Sequence, residues 1–186
     1  MAVLKKKFFE ISLPLINQTA NLQAIDEQEL EGKTIKIDLT RRLRGKSLEI
    51  IFKIIPEKGK LKAEPNRLHL LDYFIRRMMR KSTDYVEDSF SAESKNAILR
   101  IKPFLITRKK VSRAVRNALR NKTKEEIKSY IKNKDFEEIF SEIIGNKFQK
   151  SLSQKLKKVY PLSLCEIRDI FVEKKQGLKI EKEMIK

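Results

Sequence analysis

The sequence predicts an α+β fold, with about six to seven strands, amphipathic helices beside them and a largely helical C-terminal half. Three observations carry this reading. Thr34 to Thr40 and Leu48 to Ile55 alternate apolar and polar residues with a period of two, the mark of a half-buried strand. Leu70, Leu71, Phe74, Ile75, Met78 and Met79 recur at helical spacing. Beyond Val111, three further apolar stripes with that spacing follow one another, interrupted by Gly145 and ended by Pro161. The chain divides into an N-terminal arm (1–31), one α+β domain (32–172) and a charged tail (173–186) expected to order on a partner.

In the arm, Phe8, Phe9, Ile11, Leu13, Leu15 and Ile16 can dock on a core, and Pro14 breaks any helix there. Lys5, Lys6 and Lys7 suit phosphate contact or a plain solvated terminus equally. Between the first two strands, Arg41, Arg42, Arg44 and Lys46 stand in a loop with Gly45 free for a tight turn. Two rigid strands would hold that loop, which fits phosphate contact as well as solvation. Glu57 to Gly59 signals a turn, and Leu61 to Ala63 suggests a short third strand. The helix that follows carries Arg76, Arg77, Arg80 and Lys81 outside its apolar stripe, a second basic surface. Tyr85 to Phe90 and Ala97 to Lys102 read as two more strands, with a turn at Ala92 to Asn96.

Lys102 to Lys124 is the most basic stretch. It holds nine Lys and Arg residues, and no Asp or Glu occurs from Asn96 to Lys124. Its charges therefore have no local counter-charge. On a helix, Val111, Ala114, Val115, Ala118 and Leu119 would share one side, and Lys109, Arg113, Arg116 and Arg120 the other. Lys102, Arg108 and Lys110 extend the basic row. Lys and Arg are exposed in most proteins, so an ordinary solvated face is the plainer reading. The missing acids favour a polyanion laid along the ridge, as in nucleic-acid-binding proteins.

Thr123 and Glu126 have capping-box spacing, yet one long helix is preferred here, with a kink or a change of packing partner near Asn121. Asp135 and Glu138 form a second such pair, ahead of the stripe Phe136, Ile139, Phe140, Ile143 and Ile144. Phe148, Leu152, Leu156 and Val159 give another amphipathic helix. Leu164 to Val172 reads as a final strand.

Composition narrows the function. The 186 residues include 43 Lys and Arg against 25 Asp and Glu, a formal net charge of +18. Such self-repulsion is relieved by a permanent anionic partner, nucleic acid first and an anionic membrane surface second. The single cysteine, Cys165, excludes an intramolecular disulfide and a cysteine-rich zinc site. With His69 the only histidine, no histidine cluster can hold a metal. No signal peptide, membrane-spanning run, metal or cofactor is expected, and a cytoplasmic location is. Glu125-Glu126 and Glu137-Glu138 are adjacent pairs whose side chains diverge by about 100° on a helix, so neither converges on a substrate atom. No P-loop, dinucleotide fingerprint or nucleophile elbow occurs. Binding without catalysis is the economical reading, and no catalytic residue is assigned.

Three stretches carry a family resemblance. They are Lys102-Pro103-x-x-Ile106-Thr107 followed by Lys109-Lys110; Phe74-Ile75-Arg76-x-Met78-Met79-Arg80-Lys81; and Tyr160-Pro161-Leu162 followed by Glu166-Ile167-Arg168. In order and spacing they resemble the eukaryotic-type S-one family of archaeal and eukaryotic small-subunit ribosomal proteins, also called S-three-A-e. The likeness runs from Lys102 to about Val172, and more loosely from Thr34. It implies a β-barrel-like core with added helices, seated on the platform of the small subunit near the mRNA exit. It implies small-subunit rRNA and neighbouring platform proteins as partners, with mRNA as a further candidate; no homo-oligomer is expected, and no membrane, since the basic faces lack the broad apolar counter-face of interfacial helices. The rival readings are an exchangeable RNA-binding translation factor or regulator, an RNA-processing enzyme and a membrane-surface protein.

Overall fold

The structure, a computed structural model, describes residues 6–43, 45–57 and 60–175. Arg44, most of the Glu57 to Gly59 turn, Lys5 and residues 176–186 of the tail lie outside the described residues. In chain order the elements are β1 (Lys7–Leu13), β2 (Gln18–Ala24), α1 (Glu27–Leu30), β3 (Thr34–Asp38), β4 (Leu48–Glu57), β5 (Lys60–Leu70) and α2 (Asp72–Met78). They continue with β6 (Tyr85–Glu87), β7 (Phe90–Glu93), β8 (Ala97–Thr107), α3 (Arg113–Ile131), α4 (Phe136–Ile144), α5 (Lys147–Leu156) and β9 (Leu162–Lys175).

The strands form one mixed nine-stranded sheet, in which β1 and β5 are parallel and every other pair is antiparallel. It corrects two expectations. The sheet is not a closed barrel of six or seven strands. Among the described residues β2, β3, β6 and β7 each pair on one side only, so the sheet keeps open edges where closure would leave none. Nor is the C-terminal half largely helical. It contains β8 and the 14-residue β9, which pair along nearly their whole lengths at the centre of the sheet.

Two irregularities explain the longer strands. Pro103 does not end β8, because the ladder shifts register between Lys102 and Pro103, where a missing N–H is tolerated. In β5 the register against β4 slips opposite Ile51 and Phe52. Leu61, Ala63 and Pro65 are therefore buried in one phase, and Leu68 and Leu70 in the other. In the arm, β1 and β2 form a hairpin whose turn ends at Asn17 in the left-handed region (φ 52°). β1 joins β5 at Ser12 and buries Ile11 and Leu13.

The core lies between the sheet and the helices, with Phe52, Phe104 and Phe140 the largest side chains wholly inside. The helix α3 runs unbroken, and Thr123 is not a cap: its Oγ1 donates to the Leu119 carbonyl at 2.6 Å. The helix changes partner along its length, packing first on β6 and β7 and then on α5, where Tyr130 meets Phe148 edge to face at 4.9 Å. Its buried stripe is Leu119, Thr123, Ile127 and Ile131. Ala114 and Ala118, expected to face inward, are exposed. Burying a methyl group gains little, so the larger Leu119, Ile127 and Ile131 set the rotation of the helix. That rotation draws Arg116 to a half-buried position.

Candidate nucleic-acid interface

The basic helix is held at its start by a local hydrogen-bond knot. The Thr107 amide donates to the Asp84 carbonyl at 2.9 Å, the Asp84 amide to Thr107 Oγ1 at 3.1 Å, and the Val111 amide to Asp84 Oδ2 at 2.9 Å. Arg108, Lys109 and Lys110 lie between these anchor points and are exposed. Ser112 caps α3, accepting from the Val115 amide at 3.4 Å. The loop cations are thus displayed on fixed backbone.

Beyond the cap, Arg113, Ala114, Arg116, Asn117 and Arg120 line a groove of about 690 Å³ whose far wall is Tyr85. Arg120 is steered by its Nε, which donates to the Glu87 carbonyl at 3.3 Å. The side chains of Arg113 and Arg116 make no hydrogen bond or ion pair among the described residues, and Arg116 Nε is buried without an acceptor. Tyr85 also borders a second groove of about 370 Å³ that contains Arg76 and Arg168. The fold therefore brings Arg76 of α2 and the arginines of α3 to either side of one aromatic ring. Arg77 donates to the Gly45 carbonyl at 3.4 Å, which sets the Arg41 loop beside α2. Arg41, Arg80 and Lys81 are exposed, with no hydrogen bond or ion pair from their side chains among the described residues. Arg42 donates to the Ile16 carbonyl at 2.9 Å and ties that loop to the first hairpin.

Two basic residues are placed elsewhere. Lys46 is buried, with its Nζ 2.6 Å from Glu166 Oε2 and 2.7 Å from Asn146 Oδ1. Lys102 lies 3.3 Å from the buried Asp169, which also holds Arg67 through two hydrogen bonds of 2.8 and 2.7 Å. This hydrogen bonding holds Arg67 above its usual pKa. Arg100 pairs with Glu173, and that contact lowers the Glu173 pKa. Arg67, Arg100, Lys102, Arg168 and Lys175 on β5, β8 and β9 are therefore paired with acids within the protein, whereas the cations of α2, the 108–110 loop and the start of α3 mostly are not.

Tyr85 and Asn117 were not singled out by sequence. A signal existed for the tyrosine: it alternates with Val86, which is buried, and shares its face with Glu87, so strand period alone turns the ring outward.

Neither chemical candidate gains support as a reactive centre. Burial pushes the Cys165 thiol up to about 12. In the folded chain we expect no measurable maleimide labelling of Cys165 at pH 8 over the time a free thiol reacts fully, and complete labelling in denaturant; labelling of the folded chain at the free-thiol rate would contradict the burial. His69 faces Asp169 at 3.8 Å from its Nδ1. No cluster of three metal-ligating side chains occurs among the described residues, and no helix there is long and apolar enough to cross a membrane.

The model of the ribosomal S3Ae family matches residues 2–176. The chain is similar to the small ribosomal subunit protein eS1 of Nanoarchaeum equitans (strain Kin4-M), with 25% identity over 180 residues that cover 92% of this chain and 91% of that protein.

Proposed function

Because the chain belongs to the ribosomal S3Ae family, we propose that it is a structural constituent of the small ribosomal subunit that binds small-subunit rRNA through the face shared by α2, the 108–110 loop and α3. The observation that carries the RNA reading is the contrast in charge pairing. Arg113 and Arg116 have no partner among the described residues, whereas Arg67, Arg100, Lys102 and Lys175 are paired with acids. A surface of unpaired guanidinium groups on rigid backbone suits phosphate, which a planar fork can grip with two hydrogen bonds. The mechanism is charge neutralisation: the fixed cations offset phosphates that otherwise repel one another as the RNA compacts.

The interface we propose comprises Arg41, Arg76, Arg77, Arg80, Lys81, Arg108, Lys109, Lys110, Arg113, Arg116 and Arg120, with Arg42 at its edge. Lys46 and Lys102 are excluded because acids inside the protein already hold them. The family resemblance supports a seat on the platform near the mRNA exit, beside other platform proteins and in the cytoplasm. The role is binding, with no catalytic step assigned.

Sedimentation of lysate at moderate and then high salt tests this reading. One copy per small subunit, retained through the high-salt wash, is the expected result. Loss from the subunit peak at moderate salt, or a clearly substoichiometric amount, would replace it with an exchangeable RNA-binding factor.

A further inference from the structure

The groove at Tyr85 differs from a plain cationic surface. Tyr85 is 55% exposed, a large aromatic ring open to solvent in a highly charged region. It is nonetheless supported from behind. Its ring is backed by the wholly buried Phe104, with centroids 6.0 Å apart and planes 29° from parallel. Its hydroxyl has no hydrogen-bond partner among the described residues. Asn117, on the facing helix, is exposed with its amide likewise unpartnered. Ala114, the small residue in the lining, leaves room between the arginines.

These features sort by chemistry. The guanidinium groups of Arg113 and Arg116 suit a phosphate. The Tyr85 face suits a flat, electron-rich ring, and the Asn117 amide offers one donor and one acceptor edge to it. The groove's volume of about 690 Å³ lies within the range of small-ligand sites. Its two sides differ in charge. Beyond Tyr85, Asp72 and Glu87 border the second groove and hold Arg168 between them at 3.1 and 2.8 Å. Those carboxylates already occupy Arg168, whereas the Arg113 and Arg116 side chains are unpaired, so for a nucleotide in the first groove the phosphate belongs on the α3 side and the base on the ring.

Resting on the RNA reading above, we propose that Tyr85, Asn117, Arg113 and Arg116 form a pocket for one unpaired RNA nucleotide, its base stacked on Tyr85 and its phosphate held by the two arginines. A continuous duplex cannot fill this pocket, because its bases are stacked on one another and offer a protein edges, 2′-hydroxyls and phosphates but no free face for Tyr85. Stacking on an aromatic side chain tolerates any base, so the pocket selects an unpaired nucleotide rather than a sequence.

The test uses the full chain with fluorescein-labelled single-stranded RNA of 12 adenosines and a 12-base-pair RNA duplex, at one salt concentration. The variants are Tyr85→Leu, which keeps an apolar cover over Phe104, Tyr85→Phe and Arg113→Gln, each checked for an unchanged thermal transition. Tyr85→Leu should weaken binding of the single strand about five- to 150-fold and leave the duplex unchanged within about twofold. Tyr85→Phe should keep most of the single-strand affinity. Arg113→Gln should weaken both RNAs. Equal weakening of both by Tyr85→Leu, or none of either, would overturn the pocket while leaving the RNA reading intact. Failure of Arg113→Gln to weaken either RNA would count against the RNA reading itself.

Discussion

Reversing Arg113, Arg116 and Arg120 to Glu should leave the folded chain in place and remove it from small ribosomal subunits. The fold tolerates the change because none of the three pairs with an acid. The Arg113 side chain has no hydrogen bond or ion pair to lose, and Arg120 gives up one long hydrogen bond to the Glu87 carbonyl. Arg116 loses part of the packing of its half-buried stem, although its Nε is already without an acceptor. Together these changes amount to about 1–2 kcal/mol, typical of single substitutions. The effect on RNA is far larger. Three favourable phosphate contacts become three repulsive ones. At about 1.5–3 kcal/mol for each charge-assisted hydrogen bond, affinity should fall at least a thousandfold. The log–log dependence of binding on salt should flatten by roughly 2 to 3, since each phosphate neutralised contributes about 0.7–0.9. Circular dichroism would report the fold, and sedimentation the incorporation. A triple variant that melts normally and still enters subunits at one copy each would separate this face from RNA.

The sequence made the helical half of this surface legible because its cues are local. The apolar spacing of α4 and α5, Gly145 between them and Pro161 beyond them all act within a few residues. So does the absence of acids before Glu125, which marked the basic helix directly. Sequence periodicity failed where the sheet breaks its own period. In β5 the phase of burial changes between Pro65 and Leu68, so alternation beyond Ala63 could not be followed and an 11-residue strand looked like three residues. In β8 the proline at position 103 looked like an end, when a register shift beside it lets the strand continue to Thr107. Whether the sheet closes depends on which strands find partners across the whole chain, and no local pattern carries that. The groove shows the same division. Its arginines were visible as a charge pattern, whereas its wall is Tyr85, brought to α3 by the pairing of β6 with β8. Lys46 is the sharpest case. In sequence it is the last cation of a basic loop, and its partner Glu166 lies 120 residues further on.

That pair gives the largest expected loss of stability. Lys46 and Glu166 are 9% and 12% exposed at their side chains and 2.6 Å apart. Asn146 Oδ1 supplies Lys46 with a second acceptor at 2.7 Å, and Gln149 Nε2 donates to Glu166 at 3.3 Å. Glu166→Ala leaves an ammonium group buried with one neutral acceptor, which should cost about 3–5 kcal/mol. That is a large share of the roughly 5–15 kcal/mol that holds a typical domain together. Lys46→Met strands the carboxylate instead and should cost a comparable amount. The double variant Lys46→Met with Glu166→Leu buries apolar side chains where both charges stood, and should be more stable than either single one. Urea denaturation of all four proteins completes the cycle. Single variants within about 1 kcal/mol of the parent, or a double variant that loses the sum of both, would show that water reaches these charges. The pair also pins the loop of Arg41 and Arg42 to the junction of α4 and α5, but neither of its charges is available to RNA. The single variants should therefore unfold at lower urea while the slope of RNA binding against salt stays that of the parent. The triple arginine reversal predicts the opposite pairing of effects, so the two sets of variants separate the charge that holds this fold from the charge that holds its partner.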